Sequence, residues 1–214
     1  MSGLQLSGLL LYLCLLTWSL RTLGLRDFVA SKQRQHLVFG TGVTLFVLWL
    51  FRAGIFDGLD IHFLWLSAVT LILGVRYAFL TASLSLVGIT AAGFESWSMF
   101  GVNALLGISV PIGVTYLIYM VSFHRIPRNL FVYIFVCAFF PGAISIALKV
   151  ALLGGYYFAD GIYPWRTISD NYMLLIPLLL FPEALLNGMT MTVLTIYKPQ
   201  WVYTFHDKFY IDKS

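Results

Sequence analysis

The chain has 214 residues, 60% of them hydrophobic and 10% charged, with a formal net charge of +4 and a mean hydropathy of +0.88. A soluble domain carries about 25% charged residues, so composition excludes a soluble globular fold and leaves no length for a water-soluble nucleotide-binding domain. The positive balance does not read as a nucleic-acid surface, because its placement between apolar runs explains it better.

About 20 apolar residues in a helix cross the roughly 30 Å hydrocarbon layer. Lipid offers backbone groups no hydrogen-bond partner, so such runs must be helical. In chain order the spans fall at 3–20, 37–56, 60–75, 77–93, 101–123, 129–153 and 172–196, followed by a tail at 197–214. The expectation is an all-α, polytopic membrane protein with about seven transmembrane helices in a single integral membrane domain, 1–214. The first run lacks a basic leader and an Ala-x-Ala cleavage site, and its positive cluster follows it, so it reads as a retained helix. Arg52, inside the second span, is expected to snorkel from a helix end. The third and fourth spans are separated only by Gly74-Val75-Arg76, a tight helical hairpin; without that turn the count falls to six. Cys14 and Cys137 both lie in apolar runs and read as packing residues without a disulfide.

Lysine and arginine fall in alternate gaps. Arg21, Arg26, Lys32, Arg34, Arg76, Arg125, Arg128, Lys198, Lys208 and Lys213 lie on one side, against Arg52 and Arg166 on the other. The positive-inside rule puts the larger set in the cytoplasm, so the N-terminus is outside, the C-terminus is cytoplasmic, and the chain belongs in the inner (cytoplasmic) membrane. Asp57, Asp60, Glu95, Asp160 and Asp170 all fall on the outer side. An acidic mouth raises the local cation concentration, although polar loops are also ordinary surface.

The segment from Phe56 to Leu64 brings Asp57, Asp60 and His62 to the outer end of the third span. Neutral imidazole is the commonest protein ligand for transition metals, and carboxylates complete such sites. On a helix Asp60 and His62 do not share a face, so His62 needs partners from other helices; the bland reading is a histidine hydrogen-bonded near the headgroups. Glu183 sits mid-span beside Pro182, with Asn187 one turn on along the same face. An ionisable group at that depth is either a functional site or a structural bond to backbone freed by a broken helix. Asn103, at the start of the fifth span, either lines a pocket or bonds a loop. Lys149 is expected to snorkel outward, with an inward salt bridge to Glu183 as the other reading. Met173, Met189 and Met191 do not cluster at helical spacing and read as apolar filler.

Enzyme signatures are absent: no G-x-S-x-G, no H-E-x-x-H and no phosphate-binding glycine loop. His36, His124 and His206 all fall on the cytoplasmic side, which argues against a haem-bearing electron-transfer subunit. The stretch from His62 through Gly74–Arg76 resembles the histidine-containing helix pair of the cobalt/nickel uptake membrane components, the CbiM/NikM family. Gly101-Val102-Asn103-Ala104-Leu105-Leu106-Gly107 is similar to that family's Gly-x-Asn segment, and Glu183-Ala184-Leu185-Leu186-Asn187-Gly188-Met189 to its closing small-residue helix.

The resemblance implies a seven-helix, non-enzymatic, substrate-binding permease component of an energy-coupling-factor transporter of the ABC class. Its cargo would be a divalent transition metal, cobalt or nickel, with no permanently bound cofactor, and separate ATPase and coupling subunits would power it. In the family the ion is held by an amino-terminal Met-His pair and a histidine that His62 matches, with Asn103 as a pocket neighbour. Here the chain begins Met1-Ser2-Gly3-Leu4, so Ser2 stands where the family has a histidine. A free amine, a deprotonated amide and two imidazoles suit square-planar nickel; with one imidazole left, either Asp57, Asp60 or Glu95 substitutes or the cargo differs. The competing expectation is a scaffold or assembly subunit, in which His62 and Glu183 are satisfied internally. Under either reading the aromatic tail from Lys198 to Phe205 is expected to dock on a partner or lie at the interface.

Overall fold

The computed structural model describes residues 1–210, without the side chains at 25–27 and 207. Lys213 and the Arg26 side chain, both counted in the charge pattern, therefore lie outside the described residues. The described chain is helical. Helix α1 is Gly3–Thr22, α2 Leu25–Ala30, α3 Lys32–Leu50, α4 Leu66–Leu73 and α5 Val75–Ala91. Then come α6, Phe100–Arg125, and α7, Leu130–Ala159. Helix α8, Trp165–Asn171, leads into α9, Ile176–Tyr197, and α10 is Asp207–Tyr210. Four helical stretches are long and apolar enough to cross a membrane: Gly3–Thr22, Phe100–Arg125, Leu130–Ala159 and Trp165–Tyr197; Val75–Ala91 is a shorter apolar helix.

Local chemistry sets the helix starts. Ser2 and Gln5 form a reciprocal capping box on α1, which satisfies two of the amide groups left orphaned at a helix start. Ser31 and Asn129 accept from the first turns of α3 and α7. Helices α6 and α7 each contain a wider π-turn, Asn103–Ser109 and Phe135–Phe139. Both lie just before a proline, Pro111 and Pro141. A proline ring collides with the carbonyl four residues back, here Gly107 and Cys137, and a π register absorbs that mismatch inside an apolar environment.

The third expected span is the main correction. Residues 60–75 do not form one spanning helix: α4 has only eight residues, about 12 Å, too short to cross. Likewise the second span ends at Leu50 rather than Phe56. Between them residues 51–65 turn back into the bundle as irregular backbone, closed by a pair of hydrogen bonds between Ala53 and Ile61. Such backbone is tolerated at membrane depth only where protein buries it. All eight residues of α4 are buried, packed against α5, α6, α7 and α9. A hydroxyl contact between Ser67 and Thr115, 2.8 Å, ties α4 to α6.

Both ends of α4 are satisfied by distant parts of the chain. At its C-terminus the Tyr203 and Thr204 amides donate to the Ile72 and Leu71 carbonyls, at 3.0 and 3.2 Å. The Thr204 hydroxyl donates to Leu71 at 2.9 Å and accepts from the Tyr133 phenol at 2.7 Å. The tail therefore docks on its own bundle: Val202, Thr204 and Phe205 are buried, contrary to the expected surface or partner contact, while Tyr203 stays exposed. The expected Gly74–Arg76 hairpin does exist, as the single residue Gly74 between α4 and α5. Its φ of 76° lies where residues with a Cβ are disfavoured.

Candidate functional site

Two polar clusters occupy the interior. The first surrounds Glu183 at the N-terminus of α4. Its two carboxylate oxygens accept from the Leu64 and Trp65 amides, both at 2.8 Å. Asn187 accepts from the Ala68 amide at 2.8 Å and donates to the Glu183 side chain and carbonyl. A helix start leaves four amides without partners, and α9 supplies acceptors for three N–H groups around this one. The geometry is strained on purpose: Trp65 holds a left-handed conformation, φ 55°, which is an outlier for a bulky residue. Its amide is fixed by Glu183, and its indole donates to Thr190 at 2.8 Å. Of the two readings open for Glu183 and Asn187, the arrangement is that of a structural cap on a broken helix.

The second cluster lies at the other end of the re-entrant segment, around a cavity of about 20 Å³, room for roughly one water-sized guest. Its lining includes Arg52, Asp60, His62, Glu95, Asn103 and Lys149. Three sequence candidates, Asp60, His62 and Asn103, are thus brought together, along with Glu95. Asp57 is not among them: its side chain is exposed, and its carbonyl accepts from the Tyr163 hydroxyl.

The partners inside this cluster are largely one another. Arg52 does not snorkel; one guanidinium nitrogen bridges Asp60 at 2.9 Å and Glu95 at 2.7 Å. The other Glu95 oxygen accepts from the Asn103 amide at 2.8 Å. Asn103 begins the π-turn of α6, so the bulge sets its aim; π-turns are frequent at functional sites. Lys149 does not snorkel either. It is 7% exposed and its Nζ lies 2.6 Å from His62 Nε2, so its inward partner is His62 and not Glu183. Gly107 of α6 packs beside the Lys149 stem, where a Cβ would sit in ordinary contact at 3.7 Å from Lys149 Cε.

The His62 ring is oriented by two further contacts. Its Nδ1 lies 3.0 Å from the Phe63 carbonyl, and a carbonyl only accepts, so Nδ1 carries the proton. That leaves the Nε2 lone pair as the acceptor for Lys149. The Trp49 ring packs 5.4 Å from the imidazole. Sequence reasoning missed Lys149, Arg52 and Trp49 as members of this cluster; the signal was that two basic residues interrupt apolar runs that carry no acid of their own to pair with.

Among the described residues no group of three or more His, Cys, Asp or Glu side chains is arranged to hold a metal ion. Ser2 supplies no ligand in place of the family's histidine; its hydroxyl is engaged as the α1 cap. A much larger groove, about 1150 Å³, runs between α3 and α9; its walls are mostly apolar and hydroxyl-bearing, with Gln33, His36 and Met189 among them and no carboxylate.

No curated protein and no solved structure matches the chain. One protein family does, described as the cobalt uptake substrate-specific transmembrane region, over residues 3–201. That range takes in every helix that builds the two clusters and the tail segment up to Trp201. The chain therefore belongs to the CbiM family, the substrate-specific membrane components of cobalt uptake.

Proposed function

We propose that this chain is the substrate-specific membrane component of an energy-coupling-factor type uptake system for a divalent transition metal, cobalt or nickel. Separate ATPase and coupling subunits drive it, as membership of a family of substrate-specific uptake components supports. It sits in the cytoplasmic membrane with the His62 end of the bundle facing outward. The charge pattern supports that orientation, and family membership supports the role. The observation that carries the reading is the convergence of Asp60, His62, Glu95 and Asn103 on one small cavity beneath an acidic loop. Metal analysis of purified full-length protein tests it, wild type against His62→Ala. Cobalt retained by wild type and lost in the variant supports the proposal; equal, negligible metal in both overturns it.

A second reading, a scaffold or assembly subunit, draws on one specific observation. His62 and Glu183 each find partners within the chain, as that reading expects. The same metal analysis separates the two, since a scaffold has no His62-dependent ion.

A further inference from the structure

We infer that Lys149 is a tethered cation that occupies the seat a metal ion would take, so that cargo enters this site only by displacing it. The inference rests on the proposed reading of the cluster as the cargo site. Its foundation is a conflict over one lone pair. His62 has a single free ring nitrogen, because Nδ1 donates to Phe63. A metal must bind at Nε2, and Nε2 already accepts from the Lys149 ammonium at 2.6 Å.

Charge balance points the same way. Arg52 and Lys149 bring two positive charges to the cavity; Asp60 and Glu95 bring two negative ones, and Arg52 bridges both of them. With His62 neutral the empty cluster sums to zero. Adding a divalent ion leaves excess positive charge in a poorly solvated site, which is costly. Replacing the lysine charge instead leaves a net negative cluster with an exposed imidazole lone pair, a far better cation site. The placement of the lysine is built into the fold: its ammonium lines the same cavity as the acids. Lys149 is thus a specificity-determining residue, which sets a threshold that a weakly bound cation cannot pass.

The test is a cobalt(II) titration of purified full-length protein, comparing wild type, Lys149→Met, Lys149→Arg and the double variant Lys149→Met/His62→Ala. Lys149→Met is expected to bind cobalt roughly tenfold or more tightly than wild type, given the size of one unit charge at this range. Lys149→Arg, which keeps the charge, gains nothing, and the double variant loses what Lys149→Met gained. Where the methionine variant does not fold, Lys149→Leu, which is equally uncharged and donates nothing to His62, is read against the same expectation. Cobalt bound by wild type with equal or weaker binding by the neutral variants overturns the tethered-cation role and leaves the uptake reading standing. No cobalt bound by wild type at saturating concentration overturns both, whatever the neutral variants do.

Discussion

The two buried polar clusters use the same residue types for opposite ends. Around Glu183 the partners are backbone amides of Leu64 and Trp65, with Asn187 bracing the carboxylate. Around His62 the polar partners include other mobile side chains, Lys149, Arg52, Asp60 and Glu95. A carboxylate spent on backbone amides cannot release them without unwinding a helix start. A network of side chains can exchange a partner for a guest at the cost of a few rotamers. Both clusters are buried inside the bundle; the nature of the partner is what separates them.

Substitutions at four positions test that contrast, from the largest expected effect downward. Glu183→Ala strips the acceptors from two buried amides, each worth about 1–3 kcal/mol when orphaned, so a stability loss of about 3–5 kcal/mol is expected in detergent unfolding. Glu183→Gln, which keeps one acceptor, should lose visibly less. If Glu183→Ala unfolds like wild type, the cap reading is wrong. Arg52→Met leaves Asp60 and Glu95 without their bridge and should cost about 2–3 kcal/mol. In a cobalt titration it should gain less affinity than Lys149→Met, because Nε2 of His62 remains covered; a larger gain would move the decisive cation from Lys149 to Arg52. Thr204→Val removes the hydroxyl that joins Leu71 to Tyr133 and should cost about 1 kcal/mol, measurable as a lowered unfolding midpoint, without touching metal content. Asp57→Asn, on an exposed side chain, should shift stability by less than about 0.5 kcal/mol and leave cobalt binding unchanged; altered binding would bring Asp57 back into the site.

The membrane class and the positions of α1, α6, α7 and α9 were legible because nothing else explains runs of that length and hydropathy. The alternate gaps also put Asp57, Asp60, His62, Glu95 and Asn103 at one end, and all of these but Asp57 line the same cavity. The re-entrant segment was not legible. Backbone buried inside protein is as apolar as backbone facing lipid, so residues 60–75 read as a helix by composition alone. The hints were Asp57-Gly58, a turn dipeptide, and Gly54, which passes so close to Asp60 that a Cβ there would lie 2.7 Å from its Cα. Lys149 was misread for a related reason. Snorkelling is the default for a lone lysine near a helix end, and only His62 with the counter-charges Asp60 and Glu95, from the loops before α4 and α6, turns it inward.

Helix α4 is synthesised early but finished late. Its first turn waits for Glu183 and Asn187 of α9, and its last turn waits for Tyr203 and Thr204. A nascent chain that has delivered α3 to α7 into the bilayer still holds an unclosed eight-residue helix with orphan amides at one end and orphan carbonyls at the other. The final stretch of chain thus acts as a latch on biogenesis. Shortened chains that stop before Thr204 are expected to insert yet remain open to proteolysis at the 51–65 segment, so the His62 cluster matures only after the last helix has arrived.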